Sequence, residues 1–579
     1  MKNATNTTTN TTTNVPEGDK IMETSIFEKI AATKDNQVLS ENGNVGFKTT
    51  FNPLVDLNFN LPTFRDTKDK VIKCRKYVYD ENNNLVRDEN GRAKTCIEEE
   101  VIKNENINKL IQGLDNVFSN ESRMYLLKYI FYVRDIREGL GERNFFREAM
   151  RYLLTKEFVN KDKIMLDVIG LIPEFGRYDD VFVFIDTKYE QAVLNIIGTQ
   201  LKQDIRCMEQ NLPVSLLAKW MPSENTSSKE TVALAKHLRS SLKMNAKEYR
   251  KMLSKLRAYL NVTETYTSAN RWSEIDYNKV PSNANIKYNT AFLKHDTERR
   301  QQYLADLASG KAGVKINAAV NYPYQIVHSY GGKKASYGNE KDEYGWRKRT
   351  YLPAKDYDEA LEQLWKNQKQ MPTLDNTIVV RDGSGSMEGP IFGSTVFASE
   401  VADSLTIYCA ERLSGSLKNK FITFSSEAKL VTLPGTSLYD NLAECYKYTD
   451  CSNTDILNVF RLLLSTAKNF KLTEEELPKQ LLIISDMEFD GCYFNAEGSV
   501  FDQAKKEYAE AGYKLPRLVF WNVNSRTGSI PVLENENGIL LISGFSVVLL
   551  EMVLDNKDTY TALVDKLLTE RYRIVPYLD

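Results

Sequence analysis

The chain has 579 residues and a mass of 66.3 kDa, enough for about three to five domains. Its 42% hydrophobic and 27% charged residues exclude a collagen-like, mucin-like or wholly disordered chain. A net charge of −2, from 76 basic and 78 acidic residues, excludes an overall polycation or a highly acidic solvating chain.

The first twenty residues, MKNATNTTTNTTTNVPEGDK, have no apolar signal region and read as a disordered Asn/Thr-rich tail (1–20). Their Asn-x-Thr triplets are expected to arise by chance from low complexity. Val71–Glu99 carries Asn and Gly at its turns and predicts a β-hairpin or insertion. Helical periodicity then dominates, in ESRMYLLKYIFYVRDI, ERNFFREAMRYLLTKEF, EQAVLNIIGTQLKQDIRCMEQ, KETVALAKHLRSSLK and AKEYRKMLSKLRAYL. Paired helices with short polar links predict an all-α helical-repeat array over residues 21–371. The Gly- and Tyr-rich segment 309–340 reads as a long surface loop within it.

The chain changes character near residue 372. Residues 372–579 hold 19 basic and 29 acidic side chains, whereas residues 1–371 hold 57 and 49, so near-neutrality hides oppositely charged halves. In AKEYRKMLSKLRAYL one helix face is apolar, and Lys247, Arg250, Lys251 and Lys255, with Lys243, line the other. Cations one turn apart can neutralise successive phosphates. Arg134, Arg137, Arg143 and Arg147 form a second cluster around the GLGER turn. These nine are the candidate RNA-binding residues. Tyr266, Trp272 and Tyr277 are candidates to stack on unpaired bases, while Trp220 is expected in a core or interface. His237, His295 and His328 read as isolated, neither ligands nor bases.

The second half alternates short apolar runs with helical ones: NTIVV, KFITFSS, AKLVTL, KQLLIISD, PRLVFWNV and GILLIS are the predicted strands of an α/β domain over 372–579. RDGSGSM follows the first strand directly. Asp382, Ser384 and Ser386 alternate by two, so their oxygens share one side. Asp486 ends a second strand, and Thr454 opens a helix. Two carboxylates and three hydroxyls form an all-oxygen set suited to one Mg²⁺ or Mn²⁺ and lacking the nitrogen and sulfur donors zinc prefers. Seven scattered cysteines without CxxC predict a reducing compartment and no disulfide framework. Cys445, Cys451 and Cys492 are read as buried small residues. No apolar run reaches about 18 residues, and Gly538–Leu554 reads as strand, turn and helix rather than a membrane span.

DGSGSM with a downstream NTD and ISD resembles the metal-ion-dependent adhesion site of the von Willebrand factor A domain. That resemblance implies a Rossmann-like α/β fold, metal contacts from Ser384, Ser386 and Thr454, and direct or water-mediated contacts from Asp382 and Asp486. It also implies an open position that a partner's acidic group fills. YVRDIREGLGERNFF and LIPEFGRYDDVF resemble segments of TROVE-module proteins, which include the Ro autoantigen, and most closely a TROVE-related family of unknown function. The resemblance implies a HEAT-like helical array, in some members a ring, that binds small or misfolded RNA with single-stranded ends.

The expectation is therefore a cytoplasmic, non-enzymatic ribonucleoprotein component that binds RNA on its basic helices, with one Mg²⁺ site and no membrane association. The alternative is a metal-dependent protein-interaction scaffold. A metal-dependent nuclease or phosphatase is weaker, because only Glu488 and Asp490 stand near the metal set as further acids. Phosphate-loop and dinucleotide fingerprints are absent.

Overall fold

A computed structural model describes residues 35–77, 79, 85–89, 91–341, 347–391, 393–449, 453–491, 499–532 and 539–578. The Asn/Thr-rich tail, Cys451 and Cys492 lie outside the described residues. Cys207, Cys409 and Cys445 are free thiols, the last two buried.

A short hairpin comes first, β1 (Gln37–Leu39) paired antiparallel with β2 (Val45–Phe47). The helix Pro53–Phe59 follows, started by Pro53 and by the Asn52 side chain, which accepts from the Leu54 and Val55 amides. β3 (Lys70–Tyr77) and β4 (Thr95–Ile102) form a second antiparallel pair.

Helices then run from Asn106–Phe118 to Pro323–Ser329. They differ in how much they bury. Arg123–Arg134 is buried continuously from Leu126 to Arg134 and sits at the centre of the packing. Ala246–Tyr259 buries only Tyr249, Leu253 and Leu256, an i, i+4, i+7 stripe, and is started by a reciprocal cap between Asn245 and Glu248.

The segment read as a long loop over 309–340 is more structured than its composition predicts. It contains the helix Pro323–Ser329 and β5 (Lys333–Lys341), which pairs antiparallel with β6 (Arg347–Pro353). Gly331 and Gly332 take φ of 82° and 78° and turn the chain from helix to strand, a conformation side chains with a Cβ avoid.

The second part is built on β7 (Thr377–Asp382), β8 (Lys420–Phe424), β9 (Ala428–Thr432), β10 (Gln480–Ser485), β11 (Arg517–Asn522) and β12 (Ile539–Ser543). Their order is β12-β11-β10-β7-β8-β9, parallel except for β9, which runs antiparallel on the edge. β7 is buried along its whole length, as a parallel strand covered on both faces must be. One face, with Val379, Leu482 and Ile542, packs on the helix Ala398–Ala410 and is continuous with the core of the helical part. The other, with Ile378, Ile483 and Phe520, packs on Leu457–Phe470 and Val500–Glu510.

The protein is thus mixed: a largely helical first part and a six-stranded α/β second part. The boundary read at residue 372 does not separate two independent cores. Val55 and Phe59 from the first part fill the second face of the sheet. From the far end of the chain, Arg571 pairs with Asp135 at 2.8 Å, and Lys128 donates to the Tyr572 carbonyl at 2.6 Å. No helix among the described residues is long and apolar enough to cross a membrane.

Candidate metal centre and basic cavity

From β7 the sheet grows to one side through β8 and to the other through β10. The strand order therefore reverses between β7 and β10, and a crevice opens there beyond the carboxyl ends of the strands. Asp382 is the last residue of β7, and Asp486 directly follows β10. The sequence order DGSGSM…ISD places both carboxylates at this one point.

Four of the five predicted oxygen donors are joined by hydrogen bonds. The Ser384 amide donates to Asp382 Oδ1 at 2.9 Å, and the Ser384 and Ser386 hydroxyls lie 3.0 Å apart. Ser386 Oγ donates to Asp486 Oδ1 at 3.2 Å. Thr454, buried like the two aspartates, is tied to the adjoining loop: its amide donates to Asp490 Oδ2 at 2.9 Å, and its hydroxyl accepts from Asn42 Nδ2 at 3.4 Å. No hydrogen bond links Thr454 to the other four among the described residues.

The electrostatics are those of a crevice short of positive charge. Burial raises the Asp382 carboxyl above the usual range, against the hydrogen bonds from Ser485 and Ser384. Burial, and then the neighbouring Asp382 charge, push Asp486 up to about 7. Asp486 Oδ2 has no hydrogen-bond partner although the carboxylate is buried. A buried carboxylate oxygen with no hydrogen-bond donor among the described residues, beside a second carboxylate and two hydroxyls, fits a small hard cation, which would relieve the repulsion and satisfy the oxygen.

Several residues of this crevice escaped the sequence reading. Ser485 donates to Asp382 Oδ2 at 2.6 Å, because the β7–β10 register sets the ends of those strands side by side. Arg526, on the loop after β11, reaches to 3.4 Å from Asp486 Oδ2. Glu488 and Asp490, the acids weighed for catalysis, are engaged in structure. Glu488 accepts from the Glu41 amide at 3.0 Å and from the Thr527 hydroxyl, and Asp490 accepts from the Thr454 amide. The only signal for the serine was its place before Asp486. Nothing in the sequence pointed to Arg526 or Glu41.

A second site lies in the helical part, bordered by Ser546, Val547 and Val548 from beyond the last strand. Here a cavity of about 1420 Å³ is lined by twelve lysines and arginines against three glutamates. Arg134, Arg137, Arg143 and Arg147 all line it, brought together by the GLGER turn. They are not equivalent. Arg134 and Arg147 are anchored on Asp180 at 2.7 and 2.8 Å, and Arg137 pairs with Glu174 at 3.1 Å. Arg143 has no ion-pair partner among the described residues. Burial and the nearby Arg177 and Arg147 cations hold its guanidinium below the usual range. Trp220, read from the sequence as a core or interface residue, lines this cavity, with the Arg177 guanidinium 3.8 Å above its ring.

Lys243, Lys247, Arg250, Lys251 and Lys255 do not line the cavity. They are solvent-exposed on and beside the helix Ala246–Tyr259, and none has an ion-pair partner among the described residues. Of the aromatic candidates, Tyr277 is buried and Trp272 stacks on His295 at 4.6 Å. The histidines are not isolated. Besides that stack, His237 Nε2 lies 2.8 Å from Glu190 Oε1, and His328 Nδ1 lies 3.0 Å from Glu400 Oε2.

Comparison with known proteins maps onto these parts. Residues 376–570 match a domain of unknown function, DUF7788, and this stretch contains every strand of the sheet and all five predicted metal donors. Residues 189–367 match another domain of unknown function, DUF2828, which supplies part of the cavity wall. The chain is also similar to the uncharacterized protein L728 of Acanthamoeba polyphaga mimivirus, 29% identical over 479 residues, covering 76% of this chain and 78% of the viral protein. The class these likenesses define is one of unknown function.

Proposed function

We propose that this protein binds RNA, as a ribonucleoprotein component, and that the arginine-rich cavity receives an unpaired segment of it. The observation that carries this reading is the twelve-to-three excess of cations in a cavity of about 1420 Å³, larger than the roughly 300–1,000 Å³ of ordinary small-molecule sites. The paired arginines hold the wall; Arg143 and Lys68, which have no ion-pair partner among the described residues, meet phosphate, and Trp220 offers a face for a base. The exposed lysine row beyond the cavity adds sequence-independent attraction. This agrees with the TROVE-like segments and with a HEAT-like reading of the helices. The test is binding of a structured RNA with a single-stranded 3′ tail, and of matched DNA, across a salt series. Salt-sensitive RNA binding with discrimination against DNA is expected. No binding at physiological salt would refute the reading.

The second part is read as a von Willebrand factor A-like domain with one Mg²⁺ or Mn²⁺ held by Asp382, Ser384, Ser386, Thr454 and Asp486. The buried Asp486 Oδ2, without a hydrogen-bond donor among the described residues, supports that reading. The ion would supply a Lewis-acidic position for an acidic group of a protein partner. We read the domain as a non-enzymatic ligand site in the cytoplasm. Titration with Mn²⁺ tests it: stoichiometric binding lost in Asp382→Asn is expected, and equal binding by both forms would remove the site.

A further inference from the structure

The crevice is roofed by a part of the chain that lies far from it in sequence. The turn between β1 and β2 is held on the loop after β10 by one hydrogen bond between main chains and by side chains that donate to main-chain carbonyls. The Gly491 amide donates to the Asn42 carbonyl at 2.9 Å, Asn42 Nδ2 donates to the Glu488 carbonyl at 2.7 Å, and Ser40 Oγ donates to the Phe489 carbonyl at 2.9 Å. The approach is close: a Cβ on Gly491 would lie 2.4 Å from the Gly43 carbonyl oxygen. On the other side, the Phe47 and Ile530 main chains exchange hydrogen bonds of 2.8 and 2.9 Å.

This docking brings Glu41 to Arg526. Glu41 Oε2 accepts from the terminal Nη2 of Arg526 at 2.9 Å, and the same nitrogen stands 3.4 Å from Asp486 Oδ2. Arg526 therefore lies between two carboxylates, nearer the one supplied by the hairpin. The other is the buried oxygen that has no hydrogen-bond donor. A divalent ion on Asp486 and a guanidinium beside it repel each other, so the two compete for one carboxylate.

We propose that Arg526 is the resident counter-cation of this centre, and that Glu41, carried by the N-terminal hairpin, draws it aside so that a divalent ion can bind. This rests on the metal reading above. Arg526 is a positioning residue: standing beside Asp486 it lowers metal affinity, and the Glu41 carboxylate, which holds the same nitrogen more closely, weakens that effect. Because coupling is reciprocal, metal binding tightens hairpin docking by the same factor.

The test is Mn²⁺ titration of the full chain, followed by the electron paramagnetic resonance of the free ion. Arg526→Gln is expected to tighten Mn²⁺ binding by about fivefold or more, within the usual range of coupling between two sites, and Arg526→Lys to restore weaker binding. Glu41→Gln is expected to weaken binding several-fold in the wild-type background and to change nothing in the Arg526→Gln background. Unchanged or weaker binding in Arg526→Gln, or an equal effect of Glu41→Gln in both backgrounds, overturns the proposal while leaving the metal site standing. Mn²⁺ binding absent from every form, or indifferent to Asp382→Asn, overturns the metal reading and this inference with it. Should Arg526→Gln fail to fold, the exposed Glu41→Gln variant decides alone: unchanged affinity is the refuting result.

Discussion

The cavity and the crevice handle buried charge in opposite ways. In the cavity wall, Arg134, Arg147 and Arg177 converge on Asp179 and Asp180 with separations of 2.5–2.9 Å, so most cations there are already paired and what is left over is positive. In the crevice, Asp382 and Asp486 face each other; the nearby Arg381 is already paired with Asp403, Arg526 stands 3.4 Å from Asp486, and the balance among the described residues is negative. A fully paired charge belongs to the scaffold; an unpaired buried charge implies a ligand or a cost. The difference predicts that removing a charge from the wall harms folding, whereas removing one from the crevice or from Arg143 harms binding.

The largest effect is expected in the wall. Arg134 and Asp180 are both buried, and Arg134→Ala leaves Asp180 with the Arg147 ion pair and the Arg177 amide. Breaking a buried pair costs about 3–5 kcal/mol. Urea denaturation should show a loss of that order. A loss under 1 kcal/mol would mean that the wall is not scaffold, and the contrast with the crevice would fail.

In the crevice, Ser485→Ala removes the hydroxyl that orients Asp382 without touching a predicted donor. Outer-shell partners of this kind are worth about 10–100-fold in metal affinity. Mn²⁺ titration should show that loss while the unfolding midpoint moves little. A destabilised fold with unchanged metal affinity would make Ser485 a structural residue.

These two residues also show what the sequence could disclose. Asp382, Ser384, Ser386 and Asp486 were legible because an apolar strand followed by DxSxS leaves few other arrangements for three oxygen side chains. Ser485 was not, because its partner lies across a strand register that the sequence does not state. Arg526 and Glu41 were further out of reach, 485 positions apart and joined only by the docking of a hairpin. The GLGER arginines were legible as a cluster, but their division into paired and unpaired members depended on Asp179 and Asp180 folding back onto them. Helix periodicity gave the outline of the first part. It did not place Val55 and Phe59 on the sheet, since an apolar face does not name its partner. Segment 309–340 misled by composition: its glycines and tyrosines read as loop, yet Gly331 and Gly332 are a turn between a helix and β5.

RNA binding then separates the two basic surfaces. Lys247, Lys251 and Lys255 are exposed, so replacing all three with Gln should leave stability within about 0.5 kcal/mol. If RNA crosses that row, the slope of log affinity against log salt falls by about 2, from roughly 0.7 per contact on a single strand. The loss should be the same for tailed and blunt RNAs, because an exposed row meets the backbone of either. An unchanged slope would confine binding to the cavity.

The smallest effect belongs to Arg143→Gln and is the most discriminating. One phosphate contact to a single strand changes the salt slope by only about 0.7. Its value lies in which RNA shows it. Arg143 lines the cavity beside Arg147 and Arg177 and lacks an ion-pair partner among the described residues, so an unpaired segment that enters there should feel its loss. A blunt duplex kept outside should not. The expected result is a reduced slope for RNA with a single-stranded 3′ tail, no change for the blunt form and no change in the unfolding midpoint. Equal losses for both RNAs would put Arg143 in a general electrostatic field, and the cavity would then be no more selective than the lysine row.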